Sequence, residues 1–293
     1  MSTYVVAGAT GRVGSAVATE LLGQGAPTTV VVRDPSKGAA WQKRGARVAV
    51  GSLTDRAFLT QTLRGASGFL ALLPENVAPD DFHGTRRLMA DAIAAATDDA
   101  GLPHVVLLSA IAAVLADGNG PAKDLHYCEN RLKQSRTTVS VLRSAFYQDN
   151  VGSVLIPAKT QGIYPHFMPS AEAAFPMIAT ADVGRFAAAA LLNPPRQTET
   201  VLLLGPAYSV HDLADRLGAA IGRRLEPLGI PPDQHVAALT DAGVPRQLAE
   251  AVAELFSAFS RGAIVPAGDR TMVGATSIDE VIAACLANGG SES

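Results

Sequence analysis

A chain of 293 residues with 48% hydrophobic and 17% charged side chains has ample core for one large or two medium domains. Its net charge of -3 gives no electrostatic drive toward nucleic acid, and two cysteines, Cys128 and Cys285, are too few and too far apart for a disulfide framework or a zinc site. The most apolar run, 105–116, is shorter than the ~20 residues of a membrane span, and no signal-peptide pattern opens the chain, so a cytoplasmic protein is expected.

Residues 3–7 read as a short buried strand that breaks into three glycines spaced three apart, Gly8, Gly11 and Gly14. Val13, Ala16, Val17 and Leu21 then recur at helical spacing until Gly23 and Gly25 stop the helix. Such a strand, glycine turn and helix can cradle a pyrophosphate: the turn needs backbone angles that a Cβ forbids, and the first helical N–H groups attract an anion. Gly8, Thr10, Gly11, Arg12, Val13 and Gly14 are therefore candidate cofactor contacts.

A second strand over 28–32 ends at Arg33, nineteen residues after Gly14 and close to the position that reads a dinucleotide's adenosine ribose. A guanidinium there pairs with a 2′-phosphate, whereas a carboxylate would accept from a 2′-hydroxyl. Arg33, with Lys37 nearby, favours NADP(H); a register shifted by one residue would put Asp34 there and weaken that preference. Ser36 is placed to cap a helix to residue 44, and 47–50 reads as a third strand. Thr54 or Asp55 is placed to cap a helix to residue 63. A fourth strand, 68–74, ends at Leu73 and Pro74, where it should face the cofactor; a long helix over 80–100 and a fifth strand over 104–109 follow. Strands joined by helical crossovers imply a doubly wound parallel sheet with its ligand crevice at the carboxyl ends, where Gly8, Arg33, Ser52, Leu73 and Ser109 converge.

A helix over 121–135 leads to a sixth strand over 139–142, followed by Tyr147 and Asn150. Several motifs occur in order: Gly8-Ala9-Thr10-Gly11-Arg12-Val13-Gly14, Val32-Arg33-Asp34-Pro35, Leu107-Leu108-Ser109-Ala110, Glu129-x-x-Leu132 and Leu142-Arg143-x-x-x-Tyr147-x-x-Asn150. Thr180-Ala181-Asp182-Val183-Gly184, Asn193-Pro194 and Ser209-Val210-His211-Asp212-Leu213 continue the series. With these the chain resembles the NmrA-like branch of the atypical short-chain dehydrogenases over nearly its whole length. The resemblance implies an NADP-binding Rossmann domain over 1–150 and a smaller mixed α/β lobe over 151–293, with about 176–204 returning to the first domain. It also implies a substrate cleft between the two. By this likeness the glycine loop holds the pyrophosphate, Arg33 meets the 2′-phosphate, and Tyr147 with Asn150 contacts the nicotinamide half. Relatives of this kind include quinone and other carbonyl reductases, and also redox sensors that bind the dinucleotide without turnover. Many have Gly-Asp after the third strand, where this chain has Gly51-Ser52.

Further on, 156–169 and 227–232 read as proline-bearing loops, the first offering His166, Phe167 and Met168 to a cleft wall. An amphipathic helix over 245–260 is either a packing helix or a lid, and a polar tail covers 288–293.

Reduction of a ketone needs a proton donor beside the hydride acceptor. Short-chain dehydrogenases use a tyrosine, a lysine one helical turn later and a serine after the fifth strand. Here Ser109 matches the serine's neighbourhood, and Tyr127 precedes Arg131 by four residues, one helical turn. Arg131 is a poor substitute for lysine, so Tyr127 is either a catalytic acid or a tyrosine packed along its helix; His126 is a second donor candidate. A quinone acceptor removes the difficulty, because its reduction yields a delocalised oxyanion that needs little acid assistance. The chain thus reads as an NADPH-dependent oxidoreductase acting on a quinone or similar small conjugated carbonyl. The alternative is a non-catalytic NADP(H) sensor acting through a protein partner. No metal is expected, since the histidines are scattered, and the absence of a Gly-x-Ser-x-Gly elbow argues against a hydrolase. Alanine-rich helices leave a homodimer open.

Overall fold

The structure, a computed structural model, describes residues 2–75 and 81–289; the expected helix start at Asp80 and the tail from 290 onward lie outside them. The first half alternates β1 (Tyr4–Val6), α1 (Arg12–Gly23), β2 (Thr28–Val32), α2 (Ala39–Lys43), β3 (Arg47–Val50), α3 (Arg56–Leu63), β4 (Gly68–Ala71), α4 (Phe82–Ala100), β5 (His104–Ala110), α5 (Ala122–Lys133) and β6 (Thr138–Ser144). The second half adds β7 (Phe146–Tyr147), α6 (Leu155–Gln161), β8 (Ile163–His166), β9 (Phe175–Ile178), α7 (Thr180–Leu192), β10 (Glu199–Leu204), β11 (Ala207–Tyr208), α8 (Val210–Ile221), β12 (Glu226–Gly229), α9 (His235–Asp241), α10 (Arg246–Ser260), β13 (Arg270–Val273) and α11 (Ile278–Gly289).

Eight strands in the order β13-β10-β6-β5-β4-β1-β2-β3 form one sheet, and every pairing in it is parallel. β1 pairs with β2 on one side and β4 on the other, so the chain winds out to β3 and then returns across β1. That reversal opens a crevice at the carboxyl ends of β1 and β4. Helices cover both faces. On one, Val13, Val17 and Leu21 of α1 and Val183, Ala187 and Leu191 of α7 pack on Val6, Val30 and Leu142. On the other, Leu59 and Leu63 of α3, Ile93 of α4 and Leu132 of α5 pack on Val5, Phe69 and Val105. This is the doubly wound α/β sheet expected from the strand pattern.

A smaller third core, with Ala158, Tyr164, Met177, Leu213, Leu217 and Ile282, unites α6, α8 and α11 with two small sheets, β11-β9-β7 and β12-β8. α7 and β10 lie on the large sheet, while β9, also within 176–204, belongs to the small one. β13 adds an eighth strand at the edge of the large sheet from within the C-terminal segment. Three of its four residues are exposed, so no buried alternation marked it in the sequence. Asp34, rather than Ser36, caps the turn after β2: its carboxylate accepts from the Ser36 N–H at 2.9 Å. Asp55 caps α3 by accepting from the Phe58 N–H at 3.0 Å. No helix among the described residues is long and apolar enough to cross a membrane.

Candidate active site

A cleft of about 640 Å³ follows the carboxyl ends of β1, β2, β4, β5 and β6 and ends beneath α10. At one end lies the glycine turn. Gly8 adopts φ +66°, in the left-handed region, and a Cβ on it would come within 2.7 Å of the Leu72 side chain. A Cβ on Gly14 would collide with the carbonyl oxygen of Gly8, so only glycine lets α1 begin so close to β1. α1 has no side-chain cap and no acidic residue in its first turn, which leaves its N-terminal N–H groups and dipole available to an anion. Thr10, Gly11, Arg12 and Val13 complete this end of the lining. Arg12 also reaches across to the loop after β7, its Nη1 donating to the Asp149 carbonyl at 3.1 Å. The Asp149 carboxylate in turn holds the start of α7 through the Thr180 N–H at 2.8 Å and hydroxyl at 2.6 Å.

Arg33 lines the cleft at the end of β2, as does Gly51 at the end of β3. Hydrogen bonds from Ser36 hold the neighbouring Asp34 carboxyl below the usual carboxylate range and commit it to the turn. Asp34 and Lys37 are absent from the lining. The Ser52 hydroxyl pairs with the Thr54 hydroxyl at 2.8 Å.

Leu73 and Pro74 form the wall after β4, and a residue with no sequence signal fixes them there. Arg86, 1% exposed, donates through Nη1 to the carbonyls of Leu73 at 2.7 Å and Pro74 at 3.0 Å. Its Nη2 donates to Pro121 O at 3.1 Å and its Nε to Asp124 at 3.1 Å. Burial pulls the guanidinium's pKa down, while the nearby carboxylates of Glu75 and Asp124 act to raise it.

Ser109 lines the floor at the end of β5, but its hydroxyl donates to Glu129 Oε1 at 2.7 Å. That carboxylate also takes two bonds from Arg143. Tyr147 and Asn150 both line the cleft beyond β6. Burial pushes the Tyr147 hydroxyl up to about 12. The far wall is aromatic and aliphatic: Phe146 faces Phe256 and Phe259 of α10 with ring centroids 6.1 and 4.8 Å away, and Val252 and Leu255 lie beside them. The amphipathic helix over 245–260 is therefore the roof of the cleft. It rests on the starts of α4 and α5: Gln247 Oε1 accepts from the Phe82 N–H at 2.8 Å, and Glu254 Oε2 from the Gly120 N–H at 3.1 Å.

Two donor candidates fall elsewhere. The Tyr127 hydroxyl donates to Asp91 of α4 at 2.9 Å, and Arg131 Nε binds the same carboxylate at 2.8 Å. His126 Nδ1 is engaged with the Ala113 carbonyl at 2.8 Å. Neither Tyr127 nor His126 lines the cleft. Tyr127 and Arg131 do share a helix face, but that face turns to α4 and not to the sheet end. His166 and Phe167 also lie outside the lining; Phe167 backs the roof, 5.3 Å from the Phe256 ring. Among the described residues, no group of three or more His, Cys, Asp or Glu is placed to hold a metal.

The sequence model of the NmrA-like family matches residues 1–284. The chain belongs to the NmrA-like family. Within reach of this NmrA-like protein, the NAD(P)H azoreductase of Xenophilus azovorans is 27% identical over 254 residues, 86% of each chain. The triphenylmethane reductase of Citrobacter sp., solved with NADP(H), superimposes with a TM-score of 0.81 at 21% identity, covering 97% of this chain and 100% of that one. The NADPH-dependent quinone oxidoreductase of Escherichia coli, solved with NADPH, gives a TM-score of 0.76 at 21% identity, covering 97% and 99%. These likenesses in structure extend the shared fold to the C-terminal lobe of the NmrA-like chain.

Proposed function

We propose that this protein is an NADPH-dependent oxidoreductase that reduces a quinone or a similarly flat, conjugated small molecule. One observation carries the reading: a single cleft joins a glycine turn and Arg33 at one end to an aromatic wall of Phe146, Phe256 and Phe259 at the other. The names of the relatives, an azoreductase, a triphenylmethane reductase and a quinone oxidoreductase, support the same class of chemistry.

The residues fit NADP(H). The uncapped start of α1, with Gly14 held against Gly8, suits the pyrophosphate. Arg33 suits the 2′-phosphate, with Asp34 diverted into its own turn. Arg86 holds the Leu73–Pro74 wall, and Tyr147 and Asn150 flank the nicotinamide half. NADPH, when bound, supplies a hydride from its nicotinamide ring. The roof helix and Phe146 exclude water and hold a flat acceptor parallel to the cleft, which converts encounter into a fixed approach. A quinone suits such a cleft because the charge it gains is spread over its ring system.

The test is NADPH oxidation by the purified protein with a panel of quinones, beside calorimetric binding of NADPH and NADH. Turnover with tighter NADPH binding is the expected result. Tight NADPH binding without turnover of any acceptor would overturn the enzyme reading in favour of the cofactor-sensing one.

A further inference from the structure

The Tyr127 and His126 side chains lie outside the cleft, which leaves open the group that meets the charge gained by the acceptor. The hydroxyls lining the cleft can be taken in turn. Ser109 is committed to Glu129 at 2.7 Å and Thr180 to Asp149 at 2.6 Å. Thr10 sits in the glycine turn at the cofactor end. Ser144 Oγ lies 3.1 Å from the Ser109 carbonyl oxygen and 3.2 Å from the Tyr147 hydroxyl, and its single proton serves one of the two at a time. With the Ser144 proton turned to Tyr147, the phenol accepts from Ser144 and its own proton has no protein acceptor among the described residues.

Its position is as telling as its bonding. Tyr147 follows Phe146, whose ring packs against Phe259 of the roof, while Ser144 anchors the phenol to the carboxyl end of β6. Tyr147 thus lines the same cleft as the glycine turn and the aromatic wall.

We propose that Tyr147 is a catalytic residue whose hydroxyl donates a hydrogen bond to the acceptor's carbonyl oxygen as that oxygen becomes negative. The assignment rests on the reductase reading. In the balanced step, the C–H bond of the dihydronicotinamide breaks with its electron pair and a new bond to hydrogen forms on the quinone. The cofactor is oxidised by two electrons and the quinone reduced by two. One proton, drawn from water at the cleft mouth, completes the hydroquinone. Burial keeps the phenol protonated at neutral pH, so it serves as a donor and not as a base. With its proton turned to the phenolic oxygen, Ser144 orients Tyr147 and strengthens its O–H as a donor.

The test uses Tyr147→Phe, which removes one oxygen from an otherwise unchanged ring. With a quinone that the unaltered protein turns over, kcat should fall on the order of 10- to 100-fold, the range of a lost oxyanion donor or below it. NADPH affinity should stay within about twofold. A second readout needs no turnover: the infrared carbonyl stretch of 1,4-naphthoquinone bound in the absence of NADPH. It should lie lower in the unaltered protein than in Tyr147→Phe, because only the former donates to the carbonyl. An unchanged kcat together with an unchanged stretch would overturn the role of Tyr147 while leaving the reductase reading standing. Failure of the unaltered protein to bind or reduce any quinone would instead overturn that reading, and this role with it.

Discussion

Glu129 and Arg143 form a two-pronged ion pair beneath the cleft, with Nη2 to Oε2 at 2.6 Å and Nε to Oε1 at 3.0 Å. The Ser109 hydroxyl and Lys133 add to the same carboxylate, and Arg143 Nη1 continues to the Ala267 carbonyl at 2.9 Å. One carboxylate thus ties the ends of β5 and β6 to α5 and to the segment before β13. Glu129 is 1% exposed, so removing either partner strands a charge in the interior. Glu129→Ala and Arg143→Ala should each lower stability by roughly 3–5 kcal/mol, read from urea unfolding. The double variant should lose less than the sum of the two. Additive losses would mean that the pair does not act as a unit.

Arg33 stands in the cleft while its neighbour Asp34 accepts from Ser36, so the end of β2 presents a cation to a dinucleotide. Arg33→Ala should weaken NADPH binding roughly 10- to 100-fold, the worth of one charge-assisted bond, and leave NADH nearly unchanged. Calorimetry with both cofactors makes the check. Equal losses would remove the 2′-phosphate from the assignment.

Tyr127 donates to Asp91 on the far side of α5 from the cleft lining. That acceptor, the first cause, and burial raise the pKa of the phenol, so it is held as a neutral structural donor. Tyr127→Phe should preserve kcat and KM with a quinone and cost about 1 kcal/mol of stability. A large fall in kcat with NADPH binding unchanged would return Tyr127 to the chemistry.

The parts legible from sequence are those whose signal is local. Gly8 and Gly14 announce the cradle because the turn's sterics admit no other residue there, and the buried strands β1, β2, β4, β5 and β6 announce the sheet by apolar runs. Helical spacing puts Tyr127 and Arg131 on one face but is silent on the direction of that face; only packing of α5 on α4 turns it toward Asp91. Leu248, Val252, Leu255, Phe256 and Phe259 mark an apolar stripe equally well, yet what the stripe covers depends on contacts of Gln247 with Phe82 and Glu254 with Gly120, far away in the chain. Arg86 leaves no trace in the pattern at all. An arginine in a polar stretch reads as solvated, and the burial of Arg86 follows from α4 carrying it to the carbonyls of Leu73 and Pro74 after β4.

Phe256 belongs to the roof, its ring set beside those of Phe146, Phe167 and His235, so its replacement tests acceptor binding apart from cofactor binding. Its ring lies nearly parallel to that of Phe146, with an interplanar angle of 16°, and both rings line the cleft as an apolar wall. Phe256→Ala should raise KM for quinones about 3- to 10-fold, matching an aromatic contact of ~0.5–1.5 kcal/mol, while NADPH affinity holds. Acceptors too small to reach that wall should be affected least. A uniform fall in kcat for all acceptors, large and small, would point to a misplaced roof instead of a lost contact.

His104 begins β5, 1% exposed, with Nε2 3.0 Å from the Ser140 hydroxyl and Nδ1 without a partner. Burial pulls its pKa down to about 4, partly opposed by the charge of Glu199. The same imidazole in the unfolded chain titrates near 6.5. Between those values the unfolded state holds the extra proton, so stability rises with pH across this window and is lost as pH falls from about 6.5 to about 4. At ~1.4 kcal/mol per pKa unit the loss reaches roughly 3 kcal/mol. Urea midpoints measured at pH 7, 6, 5 and 4 should fall accordingly, and His104→Gln, which keeps a polar contact for Ser140 but cannot titrate, should flatten the slope. The same slope in that variant would assign the acid sensitivity to other groups and mean that His104 titrates alike in the folded and unfolded states.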